Sequence, residues 1–167
     1  MAMTDMGFDW QIDEFMVFCR SRQLRERTMT SYEQTLRLFQ RWCEEQMNIF
    51  TVDKVTESII RRYINDLQER GKYSFYADEK KKETNHPDRR RDFRNPITVT
   101  TINNYIRNLR VFFNWLDRDY VLQKNPMRKV RQLPCSAIPI SCLFTMCPHP
   151  FPWRRIISSW SSSRASP

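Results

Sequence analysis

Thr28, Tyr32, Leu36, Phe39 and Trp42 recur further along the chain as Thr101, Tyr105, Leu109, Phe112 and Trp115. In both copies the steps are four, four, three and three. That is the period of an α-helix, so each copy sets its apolar members along one stripe and predicts a core-facing helix. The second copy predicts a helix from the Thr98 cap to about Asp119, with Ile102, Ile106, Leu109, Phe113 and Leu116 inward. The first predicts a helix over Glu26 to Gln46. Two more stripes complete the pattern. Ile12, Phe15, Met16 and Cys19 predict a helix from an Asp9 N-cap to Ser21, with the polar run Arg22 to Arg27 as the break after it. Ile59, Ile60, Tyr63, Ile64 and Leu67 predict a helix capped by Thr56 and closed near Gly71, after a connection over Asn48 to Val55.

Between Lys72 and Pro96 the periodicity disappears. Lys80 to Lys82 and Arg89 to Arg91 alternate with Glu79, Glu83, Asp88 and Asp92, which predicts a charged, mobile insertion; its basic triplets suit contact with a phosphate backbone, and the interleaved acids suit a solvated loop equally well. Tyr120 to Pro134 reads as an extended basic exit strand with Lys124, Arg128, Lys129 and Arg131, punctuated by Pro126. After Pro134 the character changes. The last acidic residue is Asp119, and Cys135 to Pro167 holds eight serines, five prolines and three cysteines but no Asp, Glu, Lys or Gly. Natural disordered tails are charged and poor in aromatics, whereas this one carries Phe144, Phe151, Trp153 and Trp160. The segment 135–167 therefore reads as a non-native ending, such as translation in a shifted frame. The organisation is an all-α domain over residues 1–134, followed by that irregular tail.

The faces opposite the two repeated stripes point to chemistry. The first carries Thr30, Gln34, Arg37 and Arg41, and the second carries Asn103, Arg107, Arg110 and Asn114 at matching places. Amides mixed with arginines, with almost no carboxylates, suit a surface that meets phosphates and base edges. The formal charge of +9 and a pI near 9.6 favour a polyanionic partner. No apolar run approaches the ~18 residues of a membrane span, and Met1 to Trp10 shows no secretory pattern. Five cysteines without an export signal read as reduced thiols in a cytoplasm, with Cys19 and Cys43 on core faces. No Cys and His spacing makes a zinc site, and no cofactor or small-molecule substrate is expected.

The strings Thr28-x3-Tyr32-x3-Leu36-x2-Phe39 and Thr101-Ile-Asn-Asn-Tyr105-Ile-Arg-Asn-Leu109-Arg-Val-Phe112-Phe113-Asn-Trp115-Leu116, followed by Asn125-Pro126, Val130 and Pro134, resemble the N-terminal core-binding domain of tyrosine recombinases, the phage-integrase and Xer-type enzymes. The resemblance covers about Asp9 to Pro134. It implies a four-helix, SAM-like bundle that forms half of a clamp around double-stranded DNA, with the second and fourth helices facing the major groove. Carried onto this chain, it suggests Thr28, Thr30, Ser31 and Gln34 in one helix and Thr100, Asn103, Asn104 and Arg107 in the other. Arg37, Arg41 and Arg110 on the same faces, and Lys124, Arg128 and Lys129 of the exit strand, complete the expected DNA-binding set. Thr28 and Thr101 also suit a purely structural part at the helix starts.

The family's catalytic domain needs two arginines, a lysine, histidines and a tyrosine nucleophile, all beyond the exit strand. Here the histidines are His86 and His149, and no tyrosine follows Tyr120. His86-Pro87-Asp88-Arg89 matches the family's His-x-x-Arg string only by chance, since it sits in the charged insertion. The expectation is a truncated recombinase that binds its site and cuts nothing, with a full-length recombinase subunit as a second partner. The competing reading is a helical protein-interaction module, in which Phe8, Trp10 and Phe15 of the first helix are partly exposed for a neighbour. A helix-turn-helix regulator is disfavoured, because about twenty-five residues separate the third helix from the basic fourth.

Overall fold

Helix α1 (Phe8–Ser21) begins one residue before its expected cap. Gly7 is the N-cap and Asp9 falls in the first turn, where its carboxylate complements the helix dipole. The earlier start follows from Phe8. Its ring is buried against Phe39 and Phe112, at centroid distances of 5.9 and 6.4 Å, and its N–H donates to the Phe50 carbonyl. The structure, a computed structural model, describes residues 7–75, 86, 89–119, 122 and 124–134. The chain divides into two units, Met1–Cys135 and Ser136–Pro167. Every described residue lies in the first, and the tail predicted from Cys135 onward lies outside them.

Three further α-helices follow among the described residues: α2 (Glu26–Met47), α3 (Glu57–Glu69) and α4 (Val99–Arg118). A 3-10 turn, Val52–Lys54, joins α2 to α3. Asn48 closes α2 in the left-handed conformation (φ 53°), and its N–H and that of Ile49 return to the Glu44 and Cys43 carbonyls. Thr98 caps α4 as expected, its hydroxyl accepting from the Thr101 N–H at 3.3 Å. Thr56 sits at the N-cap of α3 but makes no side-chain cap bond.

The two repeated stripes form the centre. Leu36, Phe39, Leu109 and Phe112 are fully buried, and α2 packs on both α1 and α4 while α3 packs on α4. Tyr63 of α3 fills the middle, with its ring 5.0 Å from Phe39 and 5.1 Å from Trp42. Burying a large apolar side chain contributes about 1.5–3 kcal/mol, so this aromatic cluster outweighs any single surface contact. Phe15 is also fully buried, against Phe112 and Trp115 at 5.4 Å each. Phe8 and Phe15 are thus core residues rather than exposed ones. The inward pull of α4's aromatic stripe wins, and of the three candidates only Trp10 is partly exposed.

Two expectations about the loops change as well. Gly71 is not a left-handed helix cap, since no glycine has positive φ and α3 ends at Glu69 with Arg70 extended. Gly71 instead pairs with Pro96, and a Cβ there would collide with the Arg94 backbone. Lys72 and Arg94–Asn95 exchange backbone hydrogen bonds of 2.8 and 3.0 Å, so the insertion rises from an ordered neck. Residues 76–85, 87 and 88 lie outside the described residues. The exit segment is not simply extended: Asn125 and Pro126 open a turn, the Asn125 side chain accepts from the Met127 N–H at 2.9 Å, and Leu122, Met127 and Val130 are buried.

Candidate nucleic-acid interface

Thr35 and Asn108 stand one place before the leucine in each copy of the repeat, seventy-three residues apart, and they meet. Asn108 Nδ2 donates to Thr35 Oγ1 at 2.9 Å, to Ser31 Oγ at 3.2 Å and to the Ser31 carbonyl at 3.3 Å. Thr35 Oγ1 donates to the same Ser31 carbonyl at 2.8 Å. An asparagine inside a helix costs free energy unless its amide finds partners, and a buried one must find them. Here it joins α2 to α4 and fixes which outer residues sit beside the seam. Sequence reasoning did not single out Thr35 or Asn108. Their equivalence in the repeat was the available signal.

On the outer face of α2 the predicted cations are already engaged. Arg37 Nη1 meets Asp9 Oδ1 at 2.5 Å, and its Nη2 is paired with Asp13, so α1 supplies two carboxylates to that guanidinium. Arg41 is paired with Glu45 one turn on, and its guanidinium lies 6.0 Å from the Phe75 ring centroid. Thr30 Oγ1 donates to the Glu26 carbonyl of its own helix at 3.0 Å. The face is therefore not free of carboxylates, because neighbours bring them. Thr28 is half-buried at the first turn, while Ser31 and Gln34 are exposed.

The outer face of α4 is divided differently. Asn103 works like a piece of backbone, its Nδ2 donating to the Leu133 carbonyl at 2.9 Å and its Oδ1 accepting from the Leu133 N–H at 2.8 Å. Arg110 Nη2 donates to the Val130 carbonyl at 2.8 Å, and Asn125 Nδ2 donates to Asn114 Oδ1 at 2.8 Å. These three side chains hold the exit segment along the helix. Thr100, Asn104 and Arg107 remain exposed, with Arg107 donating to the Asn104 side-chain oxygen. Lys124, Arg128, Lys129 and Arg131 are exposed on the held segment. Among the described residues, none of these four nor Arg107 forms an ion pair.

Burial governs the titration of the groups beneath this surface. It raises the Tyr32 phenol, with Cys19 adding to the rise and the Arg107 guanidinium opposing it, which sets Arg107 electrically beside α2. Burial likewise pushes the Cys43 thiol up to about 12 and raises Cys19, and both are free and buried. A thiol so raised is a poor nucleophile at neutral pH. Among the described residues no group of His, Cys, Asp and Glu is placed to hold a metal ion. None of the helices among them is long and apolar enough to cross a membrane. His86 is exposed, its carbonyl accepts from the Arg89 N–H at 3.0 Å, and Pro87 and Asp88 lie outside the described residues.

Residues 12–80 match the family model described as phage integrase, N-terminal SAM-like domain. The match runs from α1 through α3 into the insertion, so this stretch of the chain is similar to the N-terminal SAM-like domain of phage integrases, and α4 with its exit segment lies beyond the matched residues. No curated protein and no solved structure matches the chain.

Proposed function

We propose that this chain is the N-terminal domain of a tyrosine recombinase, that it binds duplex DNA through the seam between α2 and α4, and that it makes no cut in it. One observation carries the reading. Arg107, Asn104 and Thr100 are exposed on α4, whose Asn108 reaches Ser31 of α2, and the neighbouring cations of the exit segment meet no carboxylate among the described residues. A protein surface that keeps guanidinium and ammonium groups unpaired suits phosphate, whose neutralisation releases counterions and supplies most of the affinity. Ser31, Gln34 and Asn104 add short polar groups able to reach base edges, where one good bidentate pair is worth about 1–3 kcal/mol of discrimination.

Arg37, Arg41, Asn103 and Arg110, expected in the same set, serve this surface indirectly. The first two tie α2 to α1 and to its own last turn, and the other two position the exit segment whose Lys124, Arg128 and Lys129 meet the backbone. Cleavage by a phosphotyrosine route needs a nucleophile, cations on the scissile phosphate and an acid for the leaving hydroxyl, held together. Tyr63 and Tyr105 are poor candidates for such a nucleophile, because burial raises both phenols. In a cell that makes a full-length relative, the domain would occupy the relative's sites.

The test is a mobility shift on duplex DNA across a salt series, with a nicked suicide substrate alongside. Salt-sensitive binding without a denaturant-resistant adduct is expected. No shift at low salt would favour a protein-interaction module, and a covalent adduct would overturn the non-cutting assignment.

A further inference from the structure

The neck of the insertion is rooted on the same face of α2 that carries Thr30 and Gln34. Phe75, just past the neck, lies near two guanidiniums, with Arg70 at 5.0 Å and Arg41 of α2 at 6.0 Å from its ring centroid. Arg41 follows Gln34 by seven residues and Thr30 by eleven, two and three helical turns along one face. Arg70 is itself held by Asp66 at 3.3 Å and by the Tyr63 ring at 5.5 Å. The Gly71–Pro96 pairing and the Lys72–Asp92 ion pair at 3.6 Å close the neck. Above it, Arg90 lies on the Tyr73 ring at 4.7 Å and donates to the Tyr73 hydroxyl at 3.1 Å. That contact fixes the middle of the triplet Arg89 to Arg91. Its two outer members, Arg89 and Arg91, are exposed and make no ion pair or hydrogen bond from their side chains among the described residues.

We propose that this neck is a second phosphate-contacting element, with Arg89 and Arg91 neutralising the DNA backbone beyond the stretch covered by α2 and α4. The inference rests on the DNA-binding reading of the α2–α4 seam. A bridged neck and the Arg90–Tyr73 contact hold the chain that carries Arg89 and Arg91 in place before DNA arrives, so less backbone ordering entropy is lost on contact. Arginine rather than lysine at these positions suits the forked geometry of phosphate oxygens. A contact of this kind is indifferent to sequence: it lengthens the footprint and steepens the salt dependence without changing base preference.

The experiment measures affinity for a long duplex over a salt series with the full chain, comparing Arg89→Ala/Arg91→Ala with a control of equal charge loss, Arg22→Ala/Lys54→Ala. Thermal melts followed by circular dichroism check that both variants fold. The proposal expects the log–log salt slope of the first variant to become shallower by about two, one for each lost phosphate contact, with the control unchanged. Equal losses in both variants would mean bulk charge alone and overturn it. Unchanged binding by Arg89→Ala/Arg91→Ala, while the unsubstituted chain binds, would overturn it and leave the α2–α4 reading standing. Failure of the unsubstituted chain to bind would bring down that underlying reading, and this proposal with it.

Discussion

Helices α2 and α4 carry the same stripe inward and put their outer faces to different uses. On α2 the arginines are spent on carboxylates, Arg37 on Asp9 and Asp13 of α1 and Arg41 on Glu45. On α4 the amides and one arginine hold the exit segment, and Arg107 is left without a carboxylate. Equivalent positions in the repeat make the contrast concrete. Thr30 bonds back into its own helix while Asn103 bonds to Leu133, and Arg37 pairs with acids while Arg110 donates to a backbone carbonyl. A shared hydrophobic period therefore fixes which way a helix faces. What its outer side does depends on which neighbours the fold brings to it.

The strongest way to break the comparison is through the inward stripe, where the helices should behave alike. Phe39→Ala and Phe112→Ala each remove a fully buried ring, and both should lower unfolding stability in urea by about 3–5 kcal/mol. A large loss at one site and a negligible loss at the other would mean that the two stripes do not share one core. Asn108→Ala removes the amide that joins the helices and should cost about 1–3 kcal/mol by the same measurement. A neutral result would show that water or a rearranged Ser31 replaces it.

The outer faces should then diverge. Asn103→Ala takes two bonds from the exit segment and should cost about 1 kcal/mol, with faster hydrogen exchange at the Leu133 amide. Thr30→Ala, its equivalent on α2, should stay within about 0.5 kcal/mol. Equal exchange at Leu133 in both variants would remove the assigned role of Asn103. Asp9→Asn/Asp13→Asn should also change stability little. These carboxylates are largely solvent-exposed, so the change should be about 0–1 kcal/mol while freeing Arg37. DNA affinity should rise at low salt, and an unchanged affinity would argue that Arg37 lies outside reach of the duplex.

The helices themselves were legible because the period of Leu36, Phe39, Leu109 and Phe112 is a local property of the chain, and burial follows from it directly. The stripe sets Phe15 inward as found, and the partial exposure that the competing interaction-module reading gives Phe8 and Phe15 fails for a tertiary reason. Their exposure depends on where α4's aromatic stripe ends, and Phe112 reaches both. The site was harder still. The carboxylates that meet Arg37 come from twenty-eight and twenty-four residues earlier, and the backbone that engages Asn103 lies thirty residues later. No spacing rule within one helix predicts such partners. Arg107 was legible as a free cation because the side-chain partner it finds, Asn104, lies within its own helix and carries no charge.

The most direct measurement is the salt dependence of duplex binding for Arg107→Ala and Arg37→Ala, side by side with the unsubstituted chain. Arg107→Ala should weaken binding and make the log–log salt slope shallower by about one, and Arg37→Ala should leave the slope as it was. Equal changes in both, or a change in Arg37→Ala alone, would contradict the division of labour between the two helices.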